Sequence, residues 1–271
     1  MLNNMDENLF NIVILALIQG ITEFLPISSS GHLVILPKLM RFEDPGLALD
    51  AFLHLGTLLA AIIYFRTEIF NLCKSLWLNG NKEQRKLSFG IMVATIPAVL
   101  GGLLLKDTLL DSELLRSVKF VALTLACGAL LMWLVDRKSQ ANAKSLLQIT
   151  TLQIFFIGCA QALALFPGVS RSGATIVACL LCGLNRSDSA RFSFLVGLPA
   201  IGGAGLLALK DLFSAGPEMI FQPQTLAVGF LVSFLSGYVA IDFLIKFLKT
   251  QSLIVFVVYR ILMALVLLML F

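Results

Sequence analysis

The chain has 271 residues, of which 58% are hydrophobic and 13% are charged, and its formal net charge is +4. Soluble domains are about half apolar and about a quarter charged. This composition therefore excludes a soluble globular domain and predicts an integral membrane protein, with the bilayer as its surroundings. The small and dispersed positive charge also argues against nucleic acid as a partner.

The first apolar stretch, residues 9–40, is interrupted halfway by Pro26 and by the run Ser28-Ser29-Ser30-Gly31-His32. Each half is shorter than the roughly 20 apolar residues that a spanning helix needs. Non-helical backbone at membrane depth is tolerated only where protein or a water-filled cavity surrounds it. We therefore predict a re-entrant helix hairpin that enters and leaves on one face of the membrane.

This hairpin carries polar groups that suggest chemistry. Gln19 and Glu23 share a helix face, and a carboxylate in an apolar helix is a candidate functional group. One serine of 28–30 is expected to cap the second half-helix, whose N-terminus can bind an anion. Ser29 and His32 are three residues apart, which favours a hydroxyl nucleophile with an imidazole in reach.

Three predicted spanning helices follow, at about 51–66, 88–105 and 118–135. A second broken stretch, 149–183, is interrupted at Pro167-Gly168 and Ser170-Arg171-Ser172-Gly173, and further spans are predicted at about 192–209, 225–246 and 253–271. At a fixed offset of 142 residues, Gln19 falls on Gln161, Ser28 on Ser170, Ser30 on Ser172 and Gly31 on Gly173. We expect one all-α polytopic membrane domain, 1–271, built from repeats at about 9–135 and 149–271.

Each repeat would be a re-entrant broken-helix hairpin plus three transmembrane helices. Because three is odd, the chain ends the first repeat on the opposite face of the membrane, so the second repeat must be inverted relative to the first. The segments around 66–87, 136–148, 184–191 and 246–252 hold twice as many lysines and arginines as the opposite segments. The positive-inside rule then places both termini outside. The two hairpins enter from opposite faces, and their tips are expected to meet near the midplane.

The second tip completes the predicted site. The Arg171 guanidinium matches phosphate oxygens, and serines with a helix start add donors. Two facing anion-binding tips favour a ligand with two adjacent phosphates, which Glu23 would repel unless a divalent cation lay between them. Mg²⁺ typically binds through one or two carboxylates and substrate phosphates. The pattern indicates metal-assisted phosphoryl transfer on a membrane-embedded pyrophosphate.

Other intramembrane polar residues are interpreted structurally. His54 is expected to be packed in a helix interior, and Asp50 to lie at a helix end. Asp242 and Arg260, on the last two helices, are expected to pair with each other.

The motifs Glu-Phe-Leu-Pro-Ile-Ser-Ser-Ser-Gly-His at 23–32 and Pro-Gly-Val-Ser-Arg-Ser-Gly at 167–173 resemble those of the undecaprenyl-pyrophosphate phosphatases of the bacitracin-resistance family. The resemblance covers essentially the whole chain. It implies a bacterial inner-membrane enzyme that opens to the periplasm and removes the terminal phosphate of undecaprenyl pyrophosphate. It also implies a divalent-metal requirement (Mg²⁺ or Ca²⁺), recycling of the lipid carrier for peptidoglycan synthesis, and bacitracin resistance on overexpression.

By this resemblance Glu23 is the essential glutamate and metal ligand, Ser29 the nucleophile, His32 its partner and Arg171 the phosphate-binding arginine. The role of His32 as base, acid or phosphate ligand stays open. The family motif admits glutamate or glutamine at position 19, and Gln19 is at most a weak metal ligand. Supporting phosphate contacts are expected from Ser28, Ser30, Gly31, Ser170, Ser172 and Gly173.

An alternative from another class is a transporter or flippase that moves a lipid phosphate, because inverted repeats with broken helices are a common transporter design. Leaflet-specific reconstitution separates the two. The expected partners are a polyprenyl pyrophosphate lipid and the bilayer, with a homodimer as a candidate assembly.

Overall fold

The computed structural model describes residues 2–77, 81–105, 112–138, 143–214 and 222–271. Parts of the predicted cytoplasmic segments 66–87 and 136–148 lie outside these residues. The described residues are helical apart from short connections. The helices are α1 (Leu2–Phe24), α2 (Ser29–Met40), α3 (Leu47–Tyr64), α4 (Arg66–Trp77), α5 (Lys82–Leu105), α6 (Val118–Asp136), α7 (Thr151–Ala162), α8 (Arg171–Leu181), α9 (Arg186–Ser214), α10 (Pro223–Phe247) and α11 (Ile254–Leu270).

Among the described residues, four helices are long and apolar enough to cross a membrane, namely α5, α6, α9 and α10. A fifth span is possible if α3 and α4, bent by 78° at Phe65, count as one. The prediction of six spans is therefore confirmed for four. The helix predicted at 253–271 forms as α11, but its 17 residues leave it among the shorter apolar helices.

The outer surface is apolar, as a lipid-facing surface requires. Leucines and methionines such as Leu104, Leu152 and Met269 are more than two-thirds exposed, while many polar side chains are buried. A soluble protein does not expose contiguous apolar surface on this scale. The helices and this surface together fit a multi-pass membrane protein.

Both apolar stretches are broken as predicted, and the helix after each break begins with a serine cap. Ser28 caps α2 and Ser170 caps α8, and each hydroxyl accepts the amide N–H of the glycine three residues later. Both caps have positive φ, 75° and 71°, a region that few non-glycine residues adopt. The same unusual turn thus occurs at both breaks.

The first halves are less alike. α1 runs unbroken to Phe24, whereas α7 ends at Ala162 and is followed by a 3-10 helix, Leu163–Leu165. The region between Phe24 and Ser29 is called the first tip below, and the region between Leu165 and Arg171 the second tip.

The two halves of the chain pack across each other. α1 contacts α10, and α7 contacts α5, while α3 packs against α9 and α6 against α11. Small residues allow close approach, as is usual between membrane helices. A Cβ at Gly20 would lie 2.7 Å from the carbonyl oxygen of Ser233, and one at Gly158 would overlap the backbone of Ala94.

Helix α4 was not predicted. It turns away from α3 and leaves Phe70 and Trp77 exposed, while Glu68 forms an ion pair with Arg191 of α9. The mixture of apolar and charged side chains is typical of a helix that lies along a membrane surface.

Candidate functional site

The site is centred on Glu23, which is 5% exposed and lies in the last turn of α1, beside the first tip. Its Oε2 accepts hydrogen bonds from the Ser29 hydroxyl at 2.7 Å and from the Gln19 amide at 3.0 Å. Nη2 of Arg171 donates to Oε1 at 2.9 Å. A buried carboxylate needs such partners, because an unpaired charge is costly in an apolar interior.

Arg171 reaches Glu23 from the start of α8, so the site joins both halves of the chain. Gly197 on α9 makes room for this side chain, since a Cβ there would overlap the guanidinium. Nη1 also donates to the carbonyl oxygen of Ser193 at 3.4 Å, whereas Nε is buried without a partner. The guanidinium is thus held in place and still retains an unused donor.

The two tips lie side by side, as the sequence predicts, and each contacts the first turn of the helix that follows the other. The Ser172 hydroxyl donates to the carbonyl oxygen of Leu25 at 3.1 Å. A Cβ on Gly31 would lie 3.4 Å from Cα of Gly168. The N-termini of α2 and α8 therefore start next to one another, beside the Glu23 carboxylate.

The predicted phosphate-binding residues are in two different environments. The hydroxyls of Ser28, Ser170 and Ser172 are buried in caps and in the contact between the tips. Ser29 and Ser30 are partly exposed at the start of α2. Gly31 and Gly173 are buried and offer their backbone N–H groups to the capping serines. Their roles as phosphate contacts stay predictions.

The expected Ser29–His32 pair is wrong in geometry. His32 Nδ1 donates to the carbonyl oxygen of Ser28 at 2.6 Å, and Nε2 lies 2.6 Å from the Tyr259 hydroxyl. Side chains on a helix point back towards its N-terminus, which carries this ring to the cap. The Ser29 hydroxyl faces Glu23 instead.

His54 is the site residue that sequence reasoning missed. It was expected to be a packed interior histidine, but its Nε2 lies 3.2 Å from Glu23 Oε2. Its Nδ1 donates to the carbonyl oxygen of Asp50 at 2.6 Å. Asp50 lies in the first turn of α3, which confirms the prediction that it lies at a helix end. The available signal was the rule that intramembrane ionisable residues are functional candidates.

Whether the site can bind a divalent cation depends on the ligand atoms that its side chains offer. Among the described residues no three His, Cys, Asp or Glu side chains cluster, and both Glu23 oxygens already accept hydrogen bonds. However, Oε1 of Gln19 is buried without a partner. Mg²⁺ and Ca²⁺ take oxygen ligands, and Mg²⁺ typically needs only one or two from protein when substrate phosphates supply others. Glu23 and Gln19 therefore fit a cation that is shared with a phosphate ligand.

The predicted pairing of Asp242 with Arg260 is also wrong. The Asp242 carboxylate bonds to Lys246 one turn away on α10, at 2.7 Å, and to the Tyr64 hydroxyl. Arg260 is 0% exposed and donates only to backbone carbonyls. The Asp242 side chain is partly exposed whereas Arg260 is enclosed by protein, and the apolar pattern around the two residues did not reveal this difference.

Comparison with known proteins assigns the family. Residues 12–266 match the family described as Bacitracin resistance protein BacA. The chain is 45% identical over 261 residues to an undecaprenyl-diphosphatase of Saccharophagus degradans, covering 94% of this chain and 96% of the relative. It is 42% identical, with the same coverage, to undecaprenyl-diphosphatase 1 of Pseudoalteromonas translucida. The chain therefore belongs to the bacitracin resistance protein BacA family.

Proposed function

We propose that this protein is an integral-membrane phosphatase that hydrolyses undecaprenyl pyrophosphate to undecaprenyl phosphate and inorganic phosphate. The observation that carries the proposal is the junction of Ser29, Glu23 and Arg171 at two adjoining helix N-termini. A hydroxyl that donates to a buried carboxylate, next to an arginine, is suited to attack on phosphorus. The names of the relatives support the same reaction.

In the proposed reaction Ser29 Oγ attacks the terminal phosphorus while its proton passes to Oε2 of Glu23, 2.7 Å away. The new Oγ–P bond forms as the anhydride P–O bond breaks, and the electron pair leaves on the lipid monophosphate. Water then attacks the phosphorus of the phosphoserine, the Oγ–P bond breaks, and Ser29 Oγ takes back the proton held by Glu23 as phosphate is released. Glu23 takes the place that the sequence suggested for His32 as base.

Arg171 and the N-termini of α2 and α8 stabilise the charge on the phosphate oxygens. Arg171 bridges between Glu23 and the incoming phosphate, using donors that Glu23 does not occupy. A helix N-terminus favours an anion through its free N–H groups and its dipole. Because these donors are set before the substrate arrives, they need no reorganisation during the reaction.

We propose a divalent cation, Mg²⁺ or Ca²⁺, as cofactor, with Glu23 and the unpaired Gln19 oxygen as its protein ligands. When bound, it would neutralise charge on the diphosphate. The substrate phosphates would supply further oxygens.

The proposed architecture is an inverted repeat with units at about 9–135 and 149–271. It is supported by the matching serine caps and by the crossed packing of α1 on α10 and α7 on α5. We propose the bacterial inner membrane as its location, both termini and the open site on the periplasmic side, and a homodimer as its assembly. The biological role would be recycling of the lipid carrier for peptidoglycan synthesis, with bacitracin resistance as a consequence.

The deciding experiment is phosphate release from a prenyl pyrophosphate by the purified protein. Ser29→Ala and Arg171→Ala are expected to abolish turnover, while Ser252→Ala, in the loop before α11, serves as the matched control. Near-normal turnover of Ser29→Ala would contradict the serine nucleophile and favour direct attack by water.

Lipid transport is the second candidate, favoured by the two broken apolar stretches whose tips lie side by side. Liposomes with substrate confined to one leaflet distinguish the two functions. Movement of lipid between leaflets without phosphate release would make the enzyme reaction secondary.

A further inference from the structure

Arg260 of α11 is a fully buried cation whose hydrogen bonds all go to main-chain oxygens. The ion pairs among the described residues do not include it. A buried arginine without a carboxylate partner is costly, and α11 could pack on α6 with an apolar side chain instead. Its bonding partners therefore indicate why the position holds an arginine.

Three of these partners lie in the two tips. Nη1 donates to the carbonyl oxygens of Pro26 at 3.3 Å and of Val169 at 3.2 Å, and Nη2 donates to that of Gly168 at 3.1 Å. These carbonyls lie where the helices are broken, so they lack helical donors. At membrane depth such groups need another donor. One guanidinium therefore satisfies the first and the second tip together.

The Arg260 guanidinium also bonds to α6, which is a continuous helix. Nε donates to the carbonyl oxygen of Leu125 at 3.1 Å and Nη2 to that of Thr124 at 3.3 Å, both on α6. Gly128 opens the path, because a Cβ there would overlap the guanidinium. Arg260 is thus bonded to α6 as well as to both tips.

The preceding residue holds the first tip at a second point. The Tyr259 hydroxyl lies 2.6 Å from His32 Nε2, and His32 Nδ1 donates to the carbonyl oxygen of Ser28. Because a carbonyl only accepts, Nδ1 carries the hydrogen, and Nε2 is left to bond with the tyrosine hydroxyl. Two consecutive residues of α11 therefore reach the broken backbone through different side chains.

We infer that Tyr259 and Arg260 form a clasp on α11 that fixes the separation of the two tips and thereby the alignment of Ser29, Glu23 and Arg171. Both are positioning residues, since neither contacts these three side chains. The kinetic part of this inference rests on the proposed phosphatase function, whereas the structural part does not. It also assigns His32 a place in the scaffold of the tip.

The first test uses hydrogen exchange, which requires no activity. In Arg260→Lys one amine with three N–H donors replaces a guanidinium that bonds to five carbonyl groups, so the bonds to both tips should weaken and peptides covering 25–30 and 166–172 are expected to exchange faster together. Gly128→Ala, which displaces Arg260 without removing it, should do the same. Gly203→Ala is the matched control, because a Cβ there meets nothing within 4 Å. Loosening of one tip alone, of neither, or of the whole protein uniformly would overturn the clasp.

The second test separates kcat from KM. Small displacements of reacting groups cost about 10- to 100-fold in rate, so Arg260→Lys and Gly128→Ala are expected to lower kcat by about that factor per folded molecule, with smaller changes in KM. Unchanged kcat in variants with loosened tips would refute the link to alignment. If the parent protein releases no phosphate, the proposed function fails, and the exchange experiment still decides the clasp.

Tyr259→Phe tests the hydroxyl alone, because the ring that stacks on His32 is kept. It should increase exchange in 25–30 and leave 166–172 unchanged, since Tyr259 reaches only the first tip. Equal loosening of both tips would contradict the division of work between the two residues.

Discussion

Ser29 and Glu23 are joined by a 2.7 Å hydrogen bond across the break between α1 and α2. The bond places a hydroxyl on the same carboxylate that receives Arg171 from the other half of the chain. Local geometry at one tip therefore depends on the position of the other.

Replacing Glu23 by glutamine tests whether the carboxylate acts as base. Glu23→Gln preserves shape but removes the proton acceptor and leaves Arg171 without its counter-charge. We expect kcat to fall by about 100-fold or more. Breaking a buried pair from one side also costs about 3–5 kcal/mol of stability. Phosphate release and thermal unfolding measure the two effects, and retained activity in folded Glu23→Gln would exclude the base role.

His54→Ala tests the residue that the sequence did not single out. Its ring lies 3.2 Å from Glu23, so its removal should leave the carboxylate less well oriented and reduce kcat by about 10-fold. His54→Gln keeps an N–H donor and should recover part of the rate. A wild-type rate of phosphate release in His54→Ala would show that this histidine only packs in the helix interior.

Gly197→Ala should act on substrate binding through Arg171, although position 197 lies on another helix. The added methyl overlaps the guanidinium and forces it away from Glu23. Because Arg171 is proposed to hold phosphate, KM should rise by about 10-fold or more. Gly203→Ala, on the same helix with open space around it, is the control. Equal KM values for the two variants would speak against this placement of Arg171.

His32 and Ser29 are expected to differ in their effects. If Glu23 is the base and His32 holds the tip, His32→Gln should lose about 10- to 100-fold in kcat. Ser29→Ala should lose essentially all turnover, since it removes the nucleophile. Single-turnover phosphate release compares them, and a loss in His32→Gln as complete as in Ser29→Ala would favour the histidine as base.

Gln19→Glu should strengthen metal binding. It adds a second carboxylate beside Glu23, where the amide oxygen now lacks a partner. Hard cations prefer charged oxygen ligands, so half-maximal activity should need less free Mg²⁺ than in the parent. Titration after chelator treatment measures this, with Gln251→Glu, at an exposed position before α11, as control. Identical titrations for the parent and Gln19→Glu would remove residue 19 from the metal site.

Several local features were predicted correctly from the sequence. The breaks before Ser29 and Arg171 and the serine cap of α2 followed from short apolar segments interrupted by proline, glycine and serine. These features are local, because a helix that stops within a membrane must satisfy its free backbone groups nearby.

The sequence did not predict which distant side chains pair with each other. In the sequence, Asp242 and Arg260 are both single charged residues in adjacent apolar helices. In the structure, Asp242 pairs with Lys246 on its own helix, whereas Arg260 donates to five carbonyl groups. Helix rotation decides such partners, and both helices are apolar on most sides. Because the rotation of α3 is likewise not encoded in the apolar pattern, the sequence did not predict that His54 lies next to Glu23.

The sequence by itself determined that the chain is a membrane protein with two related broken helices, because composition and interrupted apolar runs are properties of the residues alone. Only the tertiary structure decided that Ser29 faces Glu23, that His32 faces Tyr259 and that Arg260 holds both tips. The physical reason is that these contacts join helices far apart in the chain. Their rotations are fixed by packing at small residues such as Gly128 and Gly197, which leave space for one particular arginine each.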